Sequence, residues 1–154
     1  MSKILTAYFS ASGITKAKAE QLAAAAGADL YEIKPEKPYS NEELNWRNPL
    51  SRCNREWIKK SCPPLADSNA KVEEYDTIFL AFPIWYFNAP LVIRSFLKAY
   101  NFSGKRIVLF ATSGGSDFGK TAETLKAFAN GGEIAEGKML NGDINFDEIV
   151  KEYM

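Results

Sequence analysis

Three short stretches of this 154-residue chain are apolar at almost every position: residues 3–9 (KILTAYF), 77–82 (TIFLAF) and 106–111 (RIVLFA). A strand with one wet face alternates polar with apolar, whereas a strand that is apolar throughout must be covered on both faces. Each stretch leads through a loop into a helix-forming segment. These segments are the alanine-rich residues 16–26, the amphipathic 91–100 with Pro90 at its start, and 120–129. Such alternation specifies a parallel sheet with helices on both faces, and right-handed crossovers restrict it to a doubly wound α/β fold. Residues 29–34 supply a further short strand ending at Pro35, and residues 133–140 a weaker fifth one. Asn145-Phe146-Asp147-Glu148 has the pattern of a capping box opening a terminal helix.

Length and composition set the limits of function. One domain over residues 1–154 is expected, with 46% hydrophobic and 25% charged residues, as in soluble globular proteins. Nineteen Lys and Arg balance 19 Asp and Glu, so no long-range field gathers nucleic acid or an anionic membrane. No apolar run approaches the roughly 20 residues of a membrane span, and no signal-peptide pattern opens the chain. A cytoplasmic location is therefore expected. The two cysteines, Cys53 and Cys62, form no CxxC pair, which points to reduced thiols and no metal site. There is no histidine, which removes Ser-His-Asp and Cys-His catalysis together with imidazole metal ligation. No side chain is assigned a catalytic role, so reactive chemistry would have to come from a cofactor.

In a doubly wound sheet ligands bind beyond the carboxyl ends of the strands, where the winding reverses. Three unusual loops fall at that end. The first, Ser10-Ala11-Ser12-Gly13-Ile14-Thr15, packs hydroxyls and a glycine ahead of a helix. It suits an anion cradle at a helix N-terminus, and equally a polar turn in which Thr15 caps the helix. The second is Pro83-Ile84-Trp85-Tyr86-Phe87-Asn88-Ala89-Pro90, and the third Thr112-Ser113-Gly114-Gly115-Ser116-Asp117-Phe118-Gly119. Residues 35–75, with five prolines, form a long excursion carrying short helices at 41–46 and 52–60, placed to act as a cap or lid. Within it, Trp46 and Trp57 either pin the excursion to the core or touch a ligand. The chain lacks a Walker A loop and a G-x-G-x-x-G fingerprint. It also lacks the cysteine nucleophile of a phosphatase loop and the acidic strand ends of a receiver domain.

An aromatic loop beside a phosphate cradle suits a planar ring with a phosphate tail, and on these three loops the chain resembles the flavodoxin family over nearly its whole length. The likeness is to short bacterial members whose third-strand loop carries P-x-W. It implies a five-stranded parallel sheet of order 2-1-3-4-5 and FMN as cofactor. By position, Ser10, Ser12 and Thr15 would give hydroxyls to the phosphate, with backbone N–H groups of Gly13, Ile14 and Lys16 completing the shell. Trp85 or Tyr86 would stack on the ring within the loop that holds Pro83, Ile84, Phe87 and Asn88. Thr112, Ser113, Gly114, Gly115, Ser116, Phe118 and Gly119 would line its pyrimidine edge. Lys16 itself is read as a solvated helix residue. Many relatives have asparagine where Ile14 stands and a small residue where Phe87 stands; the second departure bears on the one-electron-reduced flavin. The resemblance implies an electron-transfer protein, with a redox partner protein or a small-molecule acceptor. The alternative is an FMN-dependent NAD(P)H or quinone reductase passing hydride through flavin N5, with Tyr86 or Tyr39 as proton donor. A flavin-free binding module is the third reading.

Overall fold

The computed structural model describes residues 3–10, 13–37, 39–40, 47, 50–59, 62–67, 69–85, 88–113, 118–119, 121–142 and 144–153, with the side chains of 53, 54 and 57 set aside. Five strands form one sheet: β1 (Ile4–Tyr8), β2 (Asp29–Glu32), β3 (Thr77–Pro83), β4 (Arg106–Thr112) and β5 (Glu133–Met139). All neighbours run parallel, in the order β2-β1-β3-β4-β5. The helices are α1 (Ile14–Ala26), α2 (Arg52–Lys59), α3 (Leu91–Ala99), α4 (Thr121–Lys126) and α5 (Phe146–Tyr153). The expected helix at 41–46, including Trp46, lies outside the described residues, and a short 3₁₀ turn at Val72–Glu74 was not foreseen. As the capping pattern implied, the Glu148 N–H donates to Asn145 Oδ1 at 3.2 Å. Among the described residues no helix is long and apolar enough to cross a membrane.

The two faces of the sheet build two cores, and the period-2 rule of strands sorts the apolar residues of β1, β3 and β4 between them. Leu5, Ala7 and Phe9, then Ile78, Leu80 and Phe82, then Ile107, Leu109 and Ala111 meet α3 and α4 through Val92, Ile93, Phe96, Leu97 and Leu125. The alternate residues Ile4, Tyr8, Phe79, Ala81, Val108 and Phe110 meet α1 and α5 through Ala19, Leu22, Ile149 and Val150. Phe79 and Phe110 stand diagonally across β3 and β4 with centroids 5.2 Å apart, and Tyr153 closes over Phe110 at 5.6 Å. Each such ring pair adds about 0.5–1.5 kcal/mol beyond the area it buries.

β5 breaks the alternation. Leu109 pairs with Glu136 and Ala111 with Met139, so Gly137 and Lys138 together oppose Phe110, which is a β-bulge. Ile134 and Met139 both face the α3–α4 core although they are five positions apart, and Leu140 faces the other core. A Cβ on Gly137 would lie 2.3 Å from the Leu109 carbonyl oxygen, so only glycine fits there. The weak strand pattern of residues 133–140 has this bulge as its cause.

Among the described residues one buried group of the sheet is unsatisfied: the Thr6 hydroxyl has no hydrogen-bond partner and no solvent contact. Because a sealed hydroxyl forfeits its hydration, Thr6→Val should raise stability by about 1 kcal/mol. For a domain this size that is a melting-temperature gain of about 2–4 °C, readable by thermal denaturation. Burial, aided by the nearby Glu32 and Glu20 carboxylates, pushes the Tyr8 phenol up to about 12. The unfolded chain then gives up the Tyr8 proton first, so the Tyr8 contribution should hold up to pH 10 and decline between 10 and 12. Denaturant titrations across this range should show a shallower decline for Tyr8→Phe. Some slope should remain, since burial and a bond to Asp29 also raise Tyr75 to about 12.

Candidate functional site

Parallel pairing sets the three loops side by side. β3 lies between β1 and β4, with Tyr8 opposite Ala81 and Pro83 opposite Thr112. The ladders run on past the strand ends: the Phe9 N–H donates to Ala81 O at 3.0 Å, and the Ile84 N–H to Thr112 O at 2.9 Å. Residues 10, 84 and 113 therefore leave the sheet as neighbours at one edge.

At the first loop Gly13 adopts φ +93°, a left-handed conformation that strains any side chain, and is itself the N-cap of α1. Its N–H donates to Ser10 Oγ at 3.0 Å, and its carbonyl accepts the first helical bond, from the Ala17 N–H at 3.2 Å. A glycine cap brings no side-chain acceptor, so the N–H groups of Ile14, Thr15 and Lys16 have no acceptor among the described residues. No acidic residue occupies the first turn of α1 to meet the positive end of its dipole. The helix begins two residues earlier than the alanine-rich run suggested, and Thr15 does not cap it. Instead the buried Thr15 hydroxyl pairs with the Thr112 hydroxyl at 2.8 Å, joining the first and third loops. Ile14 is 62% exposed and Lys16 is exposed; Ser12 lies outside the described residues.

At the second loop Trp85 and Asn88 exchange two backbone hydrogen bonds, at 2.8 and 3.0 Å. Tyr86 and Phe87 lie outside the described residues. Asn88 Nδ2 donates to Thr124 Oγ1 of α4 at 3.2 Å. At the third loop the Ser113 N–H donates to Asn141 Oδ1 at 2.8 Å, a residue the sequence reading did not single out. Gly114, Gly115 and Ser116 lie outside the described residues. Phe118 is buried in the α3–α4 core, and its carbonyl accepts from the Thr121 N–H and hydroxyl, which ties up that oxygen at the start of α4. Gly119, at φ +54°, makes the turn between them.

The excursion meets the site through an aromatic cluster. Trp85 makes edge-on contacts with Phe9 and Tyr39, at centroid distances of 5.6 and 5.4 Å, and Phe9 and Tyr39 touch at 5.9 Å. Two rings set nearly perpendicular to the indole, one from the core and one from the excursion, fix its plane. Tyr39 is held in turn by α2. Its hydroxyl donates to Glu56, the Arg52 guanidinium lies 4.1 Å over its ring, and Arg52 bridges Glu56 at 2.9 Å and the Lys37 carbonyl at 2.6 Å. The bond to Glu56 and the Arg52 contact hold the Tyr39 ring at the edge of Trp85. The side chains of Trp57 and Cys53 are not described, and Cys62 is a free thiol.

Tyr39→Phe should cost about 1 kcal/mol, the worth of a hydrogen bond to a carboxylate at a half-buried site. Tyr39→Ala should cost at least twice that. Only the second change should alter the near-ultraviolet circular dichroism of tryptophan, because only it removes the ring that fixes Trp85. Chemical denaturation and near-ultraviolet spectra of the two variants check this.

Comparison with known proteins agrees with this architecture. A candidate flavoprotein from Bacteroides eggerthii is 39% identical over 99% of this chain and 96% of its own, with a TM-score of 0.91. A second, from Bacteroides uniformis, is 38% identical over 99% and 97%, with a TM-score of 0.89. A flavoprotein from Lactobacillus acidophilus, solved in complex with FMN, shares the fold at 21% identity over 99% of both chains, with a TM-score of 0.74. No curated protein matches the chain. The flavodoxin family model matches residues 3–154, and the chain belongs to that family.

Proposed function

We propose that this chain binds FMN across the three loops and works as an electron-transfer protein. The observation that carries the reading is the uncapped start of α1. Three neighbouring backbone N–H groups without acceptors among the described residues, at a helix end whose first turn is free of acidic residues, form a donor set for a phosphate dianion. Ser10 and Thr15 each keep hydroxyl capacity beside it. Ser10 Oγ accepts from Gly13 and so has its own proton to give. In the Thr15–Thr112 pair one hydroxyl donates to the other; if Thr112 donates, the Thr15 proton is left for the anion. Trp85, fixed edge-on, presents an aromatic wall next to the phosphate end. FMN would supply the redox chemistry, and the protein's part is anchoring, orientation and exclusion of water. A redox partner protein or a small acceptor takes the electrons. The free Cys62 thiol is in keeping with a cytoplasmic setting. The FMN complex of the Lactobacillus acidophilus protein, which shares the fold, supports the choice of cofactor.

A second reading, an FMN-dependent NAD(P)H or quinone reductase, is favoured by the excursion. Tyr39 and α2 reach the Trp85 loop and build a wall at which a second ligand could be held.

Purified protein should take up FMN with quenching of flavin fluorescence. Ser10→Ala should weaken FMN binding about tenfold or more, the loss of one hydrogen bond to a charged group. Riboflavin, which lacks the phosphate, should bind both forms equally, and an equal loss for the two flavins would remove the assigned anchor. Stepwise reduction followed by absorbance then separates the roles. A one-electron stage without bleaching by NAD(P)H supports the carrier, and direct two-electron bleaching by NAD(P)H supports the reductase.

A further inference from the structure

Asn88 of the second loop donates to Thr124 of α4, and Phe128, one helical turn past Thr124, lies within reach of two cations of α3. The Arg94 guanidinium carbon is 4.8 Å and Lys98 Nζ 5.3 Å from the Phe128 ring centroid. Arg94 is 8% exposed, and its Nε is sealed from solvent with no acceptor. Among the described residues Arg94 makes no hydrogen bond or ion pair, and Lys98 has only Cys62 Sγ, at 3.7 Å, as a polar neighbour. A cation over an aromatic face recovers up to about 2 kcal/mol. A buried charge with no counter-charge costs more than that, and a second cation one helical turn away adds repulsion. The arrangement is that of a binding surface whose anion comes from outside the chain.

We propose that Arg94 and Lys98 are the docking point for carboxylates of an acidic redox protein, whose electrons cross at this side of the Trp85 loop. The proposal rests on the FMN reading for what crosses, though not for the docking itself. The two cations stand one helical turn apart on one face of α3, Lys98 exposed and Arg94 open to solvent over only 8% of its surface, with attachment points about 5–6 Å apart. That spacing fits separate carboxylates on a facing protein surface. A single phosphate, by contrast, calls for converging donors like those at the start of α1. In a chain with no net charge, such a local pair sets partner orientation and encounter rate.

Two measurements test this. Without flavin, fluorescently labelled polyglutamate should bind the chain at low salt, and Lys98→Gln and Arg94→Gln should each weaken binding several-fold. Arg94→Lys, which keeps the charge, should restore most of it. Inorganic phosphate should compete no better than chloride at equal ionic strength. Unchanged binding in both Gln variants, or strong competition by phosphate, overturns the proposal. With FMN bound and fully reduced, each flavin gives one electron to each of two ferricyanide ions, forming ferrocyanide and releasing its protons to water. Both Gln variants should slow this reaction several-fold at low salt and flatten its salt dependence, with oxidation by neutral benzoquinone unchanged. Equal slowing with both oxidants, or with neither, overturns the electron path. Failure to take up FMN overturns the flavin reading while the polyglutamate result stands by itself.

Discussion

The parallel pairing of β3 with β1 on one side and β4 on the other leaves the chain no choice about where its loops emerge. Parallel strands put all their carboxyl ends at one edge, and the register of Tyr8 with Ala81 and of Pro83 with Thr112 aligns those ends to within a residue. A one-residue slip of β3 would turn Ile78, Leu80 and Phe82 out of one core and Phe79 and Ala81 out of the other. Hydrophobic burial on two faces thus fixes the placement of a polar site that contributes little to it. The site is precise because the sheet beneath it is apolar on both sides.

The Thr15–Thr112 bond shows how such a scaffold is refined. It is buried and spans 97 positions of sequence, and it couples the helix that offers N–H groups to the strand end that begins the third loop. Neither hydroxyl carries a charge, so the link survives changes of pH and ionic strength that would weaken a surface ion pair. A helix start held in this way would lose little freedom on binding an anion as proposed, which is the condition for tight anchoring by a few hydrogen bonds.

Much of this was legible in the sequence because it depends on local pattern. Runs apolar at almost every position gave buried parallel strands, and Gly13 between hydroxyls and a helix marked the turn into α1. Thr112 was read as loop and is the last residue of β4, since only the pairing with Pro83 shows the ladder reaching it. The start of α1 was misplaced by two residues because a glycine cap leaves no side-chain signature, unlike a serine or threonine. Least legible were contacts between distant segments. Nothing in the composition of the excursion joins Tyr39 to Glu56 on one side and Trp85 on the other, or sets Asn141 under Ser113. Arg94 looked like an ordinary helix residue until the packing of α3 against Phe128 sealed its Nε.

The bulge in β5 has a consequence for how this lineage can vary. Residues before it and after it follow opposite face assignments, so the one extra position acts as a frame shift written into the strand. Loss of a single residue there would do far more than shorten an edge strand. It would restore strict alternation and exchange the faces of Met139 and Leu140. It would also carry Asn141 away from the Ser113 N–H that it holds. Point substitutions on the outer side of β5 are cheap, whereas a one-residue insertion or deletion must be matched by a second one nearby. The edge of the sheet is therefore free to change its chemistry and not its length.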